Sequence, residues 1–373
     1  MVARHLSNTV ATTPEVQAHI LYHWLTYVNG FLEVESSGSA WTPTDFSGST
    51  GVVQSLTPQQ FYDANTVFDA TFVGKHIAIK DSLNPENCFV AEITAFVSAT
   101  QITLDSTAVL SVDATDVEYV VFDTSSPPSA GDFFVIQTPR TTGPQWQARC
   151  TVGAAPASLH WDLGFIGGWD IGTGSWTLPV SSLHYMHDSM QQLFCVTDPD
   201  AGFVFLWSED PPGGAAVNRH ALWLGALSPF HSPVETGVPK DLAYSAIFGS
   251  TNATPPADNL SRDTATADNF CVGEMLNTSS AVVPAYIMQN RLLSSGTDVM
   301  TISAASVNPR SMQQDDYDAV VFHVSPDQAW RGRLTAVRTL NDIVANRTPL
   351  NSNGTYVLGN GIGCSWNGKA PLP

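Results

Sequence analysis

Residues 72–104, FVGKHIAIKDSLNPENCFVAEITAFVSATQITL, constrain the fold of this chain more than any other stretch. Three apolar, β-branched runs stand there, at 72–79, 89–97 and 101–104. Asn84-Pro85 and Ser98-Ala99-Thr100 separate them. Short β-branched runs bounded by turn residues read as strands of a meander. The unit is a compact scaffold, and it carries no evident catalytic group.

The composition extends that reading. Charged residues are 13% of the 373, about half of the roughly 25% usual in soluble domains. Hydrophobic residues are 43%, enough to fill real cores. Small hydroxyl residues, Gly, Asn and Pro take the place of charge. Such a surface suits β-structure and extensive protein contact, because long charged side chains lose more rotamer freedom at an interface.

Net charge is −19, from 34 acidic and 15 basic residues. A nucleic-acid surface needs clustered Lys and Arg, so none is expected here. Arg331, Arg333 and Arg338 make too small a footprint. No run reaches the ~18–20 apolar residues of a membrane span, and the first residues lack the apolar centre of a secretion signal. Synthesis in the cytoplasm is therefore expected. Cys88, Cys150, Cys195, Cys271 and Cys364 are scattered with no CxxC, which fits reduced, buried thiols.

One helix is expected, over 14–32. Thr13 can cap it and Pro14 fits its first position. Val16, Ile20, Trp24, Val28 and Phe31 recur at helical spacing. This amphipathic helix is expected to pack on a neighbouring domain or subunit, with His19 and His23 at the flank of its stripe. Residues 35–56, rich in Ser, Gly and Thr, read as an irregular arm.

The expected fold class is mainly β: an N-terminal amphipathic helix, then a small β-module, then a β-sandwich-like domain with long irregular arms. The helix and its arm take 1–56, the module 57–123, the sandwich 131–340 and a C-terminal arm 341–373. Residues 124–130, TSSPPSA, read as a linker. Within the sandwich, 132–138 and 146–152 read as paired strands, and 183–196, 203–207, 221–227, 282–288, 298–303 and 318–324 as further strands. Residues 228–290 are otherwise loop-rich.

Four groups of residues invite a functional reading. His19 and His23, spaced i and i+4, are a possible metal pair without an acidic third ligand. His184, His187 and Asp188 are ligand-like, but a strand sends i and i+3 to opposite faces. Asp198 and Asp200 make an acidic turn that ordinary turn chemistry explains, without the EF-hand pattern. Asp162, Asp170, Glu209 and Asp210 lie among Trp161, Trp169, Trp176, Trp207 and Trp223. A sugar groove with paired carboxylates would look like this, and so would core and interface anchors. GxSxG, HExxH and P-loop motifs are missing from the sequence. Neither a catalytic residue, a metal ligand nor a cofactor is therefore assigned.

The β-unit FDATFVGKHIAIKD…FVAEITAFVSATQITLD resembles small β-modules of bacteriophage tail, baseplate or collar proteins. RHALWLGALSPF (219–230) and DQAWRGRL (327–334) are similar to elements of phage structural chains. The resemblance covers about 100 residues and carries no functional residue with it. It implies a virion structural protein, made in the host cytoplasm. Its partners would be copies of itself and other virion proteins, with no nucleic acid, no membrane and no catalysis. The alternative is a carbohydrate-binding adhesin or glycan-cleaving tail protein.

Overall fold

A computed structural model describes residues 4–8 and, with short interruptions, 13–229. Beyond these it describes strands at 245–249, 270–276, 282–288, 317–323, 329–339, 355–358 and 362–365. The chain is mainly β, with one short N-terminal helix, as its sequence predicts. Strand β1, Arg4–Asn8, comes first. Helix α1, Pro14–His23, follows, and Trp24–Val28 continues it as a π-helical turn. Thr13 caps α1 by accepting from the Val16 N–H, and Pro14 occupies the first turn.

The helix is shorter than the expected 14–32. The Asn29 N–H and side-chain amide both donate to the Trp24 carbonyl, and Gly30 takes φ 75°. That left-handed residue stops the helix, and glycine adopts it at no steric cost. The chain leaves as β2, Leu32–Ser36.

Six strands close a small barrel: β3 Phe46–Gln54, β4 Gln60–Tyr62, β5 His76–Lys80, β6 Phe89–Ser98, β7 Gln101–Asp105 and β8 Ala114–Phe122. Their order is β3-β4-β7-β6-β5-β8, and β8 pairs back onto β3. Ile77, Ile79, Ile93, Ile102 and Tyr119 fill the interior. The stretch 35–56, expected as an irregular arm, is corrected here. It supplies the end of β2 and all of β3. Its glycines are there for space: a Cβ on Gly48 would lie 2.7 Å from Tyr119 Cζ, and one on Gly51 2.6 Å from Phe61 Cε2. Glycines that suggest a loop in sequence here admit two aromatic rings into a narrow barrel. The run 72–79 also divides, into a 3-10 turn Ala70–Phe72 and strand β5.

A five-stranded antiparallel sheet runs β14-β11-β10-β9-β2, with β9 Phe133–Gln137, β10 Trp146–Val152, β11 Ser158–Phe165 and β14 His184–His187. Between β11 and β14 lies a two-stranded hairpin, β12 Trp169–Asp170 with β13 Ser175–Trp176.

The remaining strands are β15 Gln192–Asp198, β16 Phe203–Glu209, β17 Arg219–Ala226, β18 Ser228–Pro229, β19 Ser245–Gly249, β20 Phe270–Leu276, β21 Val282–Met288, β22 Tyr317–His323, β23 Ala329–Thr339, β24 Thr355–Leu358 and β25 Ile362–Ser365. With β1 they form a twelve-stranded antiparallel sheet in the order β1-β15-β16-β17-β19-β20-β21-β22-β23-β25-β24, with β18 on β23.

Three expectations are corrected here. Residues 183–196 are not one strand, since β14 and β15 belong to different sheets. The loop-rich stretch 228–290 carries β19 and β20 besides the expected strand β21, and the expected C-terminal arm carries β24 and β25. The expected strand 298–303 lies outside the described residues.

One core joins the parts. Ala78, Val90 and Phe122 on the outside of the barrel, Phe134, Trp146 and Trp161 of the five-stranded sheet, and Val204 and Leu222 of the large sheet pack in a single cluster with α1. Helix α1 thus packs on neighbouring parts of the chain, as expected, but its histidines lie inside that contact and not at its flank. Ile20, Leu21, Trp24 and Leu25 are fully buried, and so, at 1% exposure, are His19 and His23. A stripe argument assumes one apolar neighbour, whereas α1 has the barrel on one side and the sheet on the other. Among the described residues no helix is long and apolar enough to cross a membrane.

Candidate functional site

The outer face of the five-stranded sheet gathers most of the chemistry that the sequence scatters. Strand registers set Glu35 opposite Val135, Val135 opposite Arg149, and Arg149 opposite Asp162. Directly paired residues share a face, so these side chains form one row. Arg149 donates from Nε to Asp162 Oδ2 at 2.9 Å, and its Nη2 lies 2.6 Å from the same oxygen. The hairpin β12–β13 folds over the row. Trp176 donates its indole N–H to Asp162 at 3.4 Å, and Trp169 donates to Glu35. The guanidinium of Arg149 stands over the Trp169 ring at 5.4 Å, a cation–π contact. The two indoles meet edge-on at 5.3 Å.

Gly164 makes this closure possible. A Cβ there would lie 2.9 Å from Trp176 Cε3, so only glycine lets the indole rest on the strand. The backbone N–H of Trp169 donates to Gln147 Oε1, and Gln147 in turn donates to Gln137.

Asp162 is buried, and burial raises its pKa above the usual carboxylate range, with Arg149 and Trp176 pulling the other way. Burial likewise lowers His160, which Asp162 partly offsets. A raised carboxylate is what a general acid needs. Among the described residues, the other carboxylates that the sequence suggests do not join it. Asp170, half-buried, ends β12 and accepts the Gly172 N–H at 2.8 Å. Glu209 ends β16 in the other sheet, and Asp210 lies outside the described residues. The acid brought into the row is Glu35, three strand spacings away, about 14 Å of backbone. Arg149 and Trp169 fill the gap. Glycosidase carboxylates stand about 5–10 Å apart across an open groove. The row is a clasp between the sheet and its hairpin.

The other sequence candidates are dispersed. Trp161 and Trp223 are core residues with no exposed surface. Trp207 lies in β16, opposite Phe194 and Ala221. His184 and His187 occupy the edge strand β14, opposite Trp161 and Ser158, while Asp188 lies outside the described residues. Asp198 ends β15, and Asp200 lies outside the described residues. Arg331, Arg333 and Arg338 lie along β23, with Arg338 opposite Asp318. Among the described residues no group of three His, Cys, Asp or Glu side chains is placed to hold a metal ion.

Two carboxylates outside the sequence candidates tie the barrel together. Burial pushes Asp63 up, but hydrogen bonds from the Asn65 N–H, Tyr119, Thr50 and Thr66 outweigh it and hold the group below its ordinary value. Asp81 shapes the loop after β5 by accepting from the backbone N–H groups of Leu83 and Asn84. Sequence reasoning missed Glu35, Arg149 and Asp63. Glu35 and Trp169 are 134 residues apart, and no local pattern links them. Arg149 was within reach: the hairpin register of β10 and β11 alone places it opposite Asp162.

Comparison with known protein families, characterised proteins and solved structures finds no match to this chain.

Proposed function

We propose that this chain is a structural component of a bacteriophage particle, in its tail, baseplate or collar. It acts by forming interfaces with copies of itself and with neighbouring virion proteins, and the role is non-catalytic. After synthesis in the host cytoplasm, it resides in the virion.

The observation that carries the reading is one end of the barrel. Alternation breaks in the second half of β6, at register shifts between Ile93 and Ala95 and between Phe96 and Ser98. As a result Thr94, Phe96 and Val97 are all exposed. The Phe68 N–H donates to the Ala99 carbonyl at 2.7 Å, which ties the loop holding Val67 to the β6–β7 turn. Val67 is 71% exposed, and Tyr62, paired with Gln101, is exposed beside it. Contiguous exposed apolar side chains on a charge-poor protein mark an interaction surface. The likeness of 72–104 to phage β-modules supports the same reading.

Mass spectrometry of purified particles, made from the genome that encodes this chain, tests it. The chain is expected in stoichiometric copies. Its absence from intact particles overturns the reading.

One observation favours a second reading, an adhesin. Trp176 keeps part of its ring exposed beside exposed Ile171 and Leu178. Glycan binding that disappears with Trp176→Ala would select that reading.

A further inference from the structure

Three histidines share a buried cage where α1 meets the barrel. His19 and His23 stand one turn apart on α1, with ring centroids 5.0 Å apart. His76 opens β5. The Phe122 ring sits among them, its centroid 5.1 Å from His19, 4.0 Å from His23 and 5.7 Å from His76. Trp41 meets His19 edge-on at 6.2 Å. Each of the three is at most 4% exposed. Both ring nitrogens of His19, and Nε2 of His23 and of His76, have no hydrogen-bond partner. His76 Nδ1 meets Thr124 Oγ1 at 3.0 Å.

A buried imidazole without partners is tolerated while neutral. An imidazolium there would lose its hydration, and a second one about 5 Å away would be repelled in a medium of low dielectric. The groups that face the cage offer little to offset this. On α1, the Tyr22 ring meets His23 edge-on at 5.0 Å, but its hydroxyl is committed to Glu33. On the barrel side, Asp123 is the acid whose field reaches His19 and His76, but Lys75 acts on it too and it accepts the Ser125 N–H; Glu92 stands opposite His76 across β5–β6, its pKa raised by burial and by Asp105. From the sheet side, apolar Phe134 packs on Trp41 and Tyr22, the rings that flank His19 and His23.

We propose that this cage is an acid-operated latch: when its histidines take up protons, α1 leaves the barrel while the barrel itself stays closed.

The sign follows from linkage. Burial first, with Asp123 opposing, lowers His19 and His76 to about 4, and burial lowers His23 well below its ordinary value. Between about pH 6.5 and 4 the released state binds protons that the latched state refuses, so latching weakens as pH falls. Each such histidine raises the opening constant by up to about tenfold per pH unit. His19 and His76 together give about a hundredfold per pH unit near pH 5, and His23 acts in the same direction. His76 is the one histidine in the sequence 46–122, and along β5 it alternates with Ile77 and Ile79, which fill the interior. The barrel's buried Asp63 is held below its ordinary value, so that contribution persists until the pH falls below the carboxylate range. The latch does not depend on the virion role proposed above.

Hydrogen exchange of the full chain between pH 7.5 and 4.5, corrected for intrinsic rates, tests it. Residues 14–28 are expected to lose protection with a midpoint between pH 5 and 6, while the strands of 46–122 keep theirs. Protection of 14–28 that is flat to pH 4.5, or a barrel that opens in step, overturns the proposal. The double variant His23→Leu/His76→Leu is expected to move the midpoint down by at least one pH unit, and an unchanged midpoint overturns it. Should that variant not fold, the three imidazole C2 protons of the native chain decide. They are expected to titrate together as α1 is released. Independent titration near pH 6.5 with α1 still protected overturns the latch.

Discussion

Replacing Gly51 by alanine puts a methyl where the barrel has no room. The new Cβ would lie 2.6 Å from Phe61 Cε2 and 3.1 Å from Val117 Cγ2. The Phe61 ring has no retreat, because Tyr119 packs against it at 4.7 Å and Phe68 at 6.1 Å. Overpacking a filled core by one methyl costs about 1–3 kcal/mol. Removing a flexible glycine from a strand offsets about 0.5–1 kcal/mol of that. Gly51→Ala is therefore expected to destabilise the barrel by about 1 kcal/mol, and by up to about 2.5 kcal/mol. Phe61→Leu opens a void and is destabilising on its own. In the double variant the alanine methyl occupies the vacated space, so the combined loss falls short of the sum by about 1 kcal/mol or more. Native-state hydrogen exchange at the Val53, Phe61 and Val117 amides, as a function of denaturant, measures each corner of the cycle. A neutral or stabilising Gly51→Ala, or strict additivity, would refute the account of why β3 is glycine-rich.

Two further outcomes follow from the clasp and the barrel surface. Arg149→Met strands a buried carboxylate and is expected to cost about 3 kcal/mol. Asp162→Asn is expected to cost less, since burial already disfavours its charged form; urea melts compare the two, and equal losses would contradict the raised pKa of Asp162. Thr94 is exposed and donates to the Thr103 carbonyl, so Thr94→Lys and Thr103→Lys are expected to change barrel stability by about 0.5 kcal/mol or less while impairing assembly. Normal sedimentation of both variants would remove this face from the interface.

The parts of the fold legible in sequence are those fixed by local chemistry. Thr13-Pro14 announces the start of α1. The alternation in QITLD and the unbroken IAI run give β7 and β5, and IAI is apolar because β5 is buried on both faces: Ile77 and Ile79 inside the barrel, Ala78 against α1. What stayed hidden depends on partners distant in sequence. Gly48 and Gly51 suggest a loop until Tyr119 and Phe61 are known to occupy their space. The histidines of α1 suggest a flank until Phe122 and His76 close over them. Asp162 among tryptophans leaves a sugar groove and a structural anchor both open in sequence, and only the fold shows its ties to Arg149 and Trp176. Glycine, histidine and buried carboxylate are the residues whose role depends on what tertiary structure brings beside them.

Association through an exposed apolar, charge-poor surface is the central claim, and the mass of the full chain in solution tests it most directly. Sedimentation equilibrium at neutral pH is expected to give a discrete multiple of the 40.0 kDa chain, as closed cyclic assemblies do. A mass of 40.0 kDa at every concentration, in a chain that binds or cleaves glycan, would contradict it.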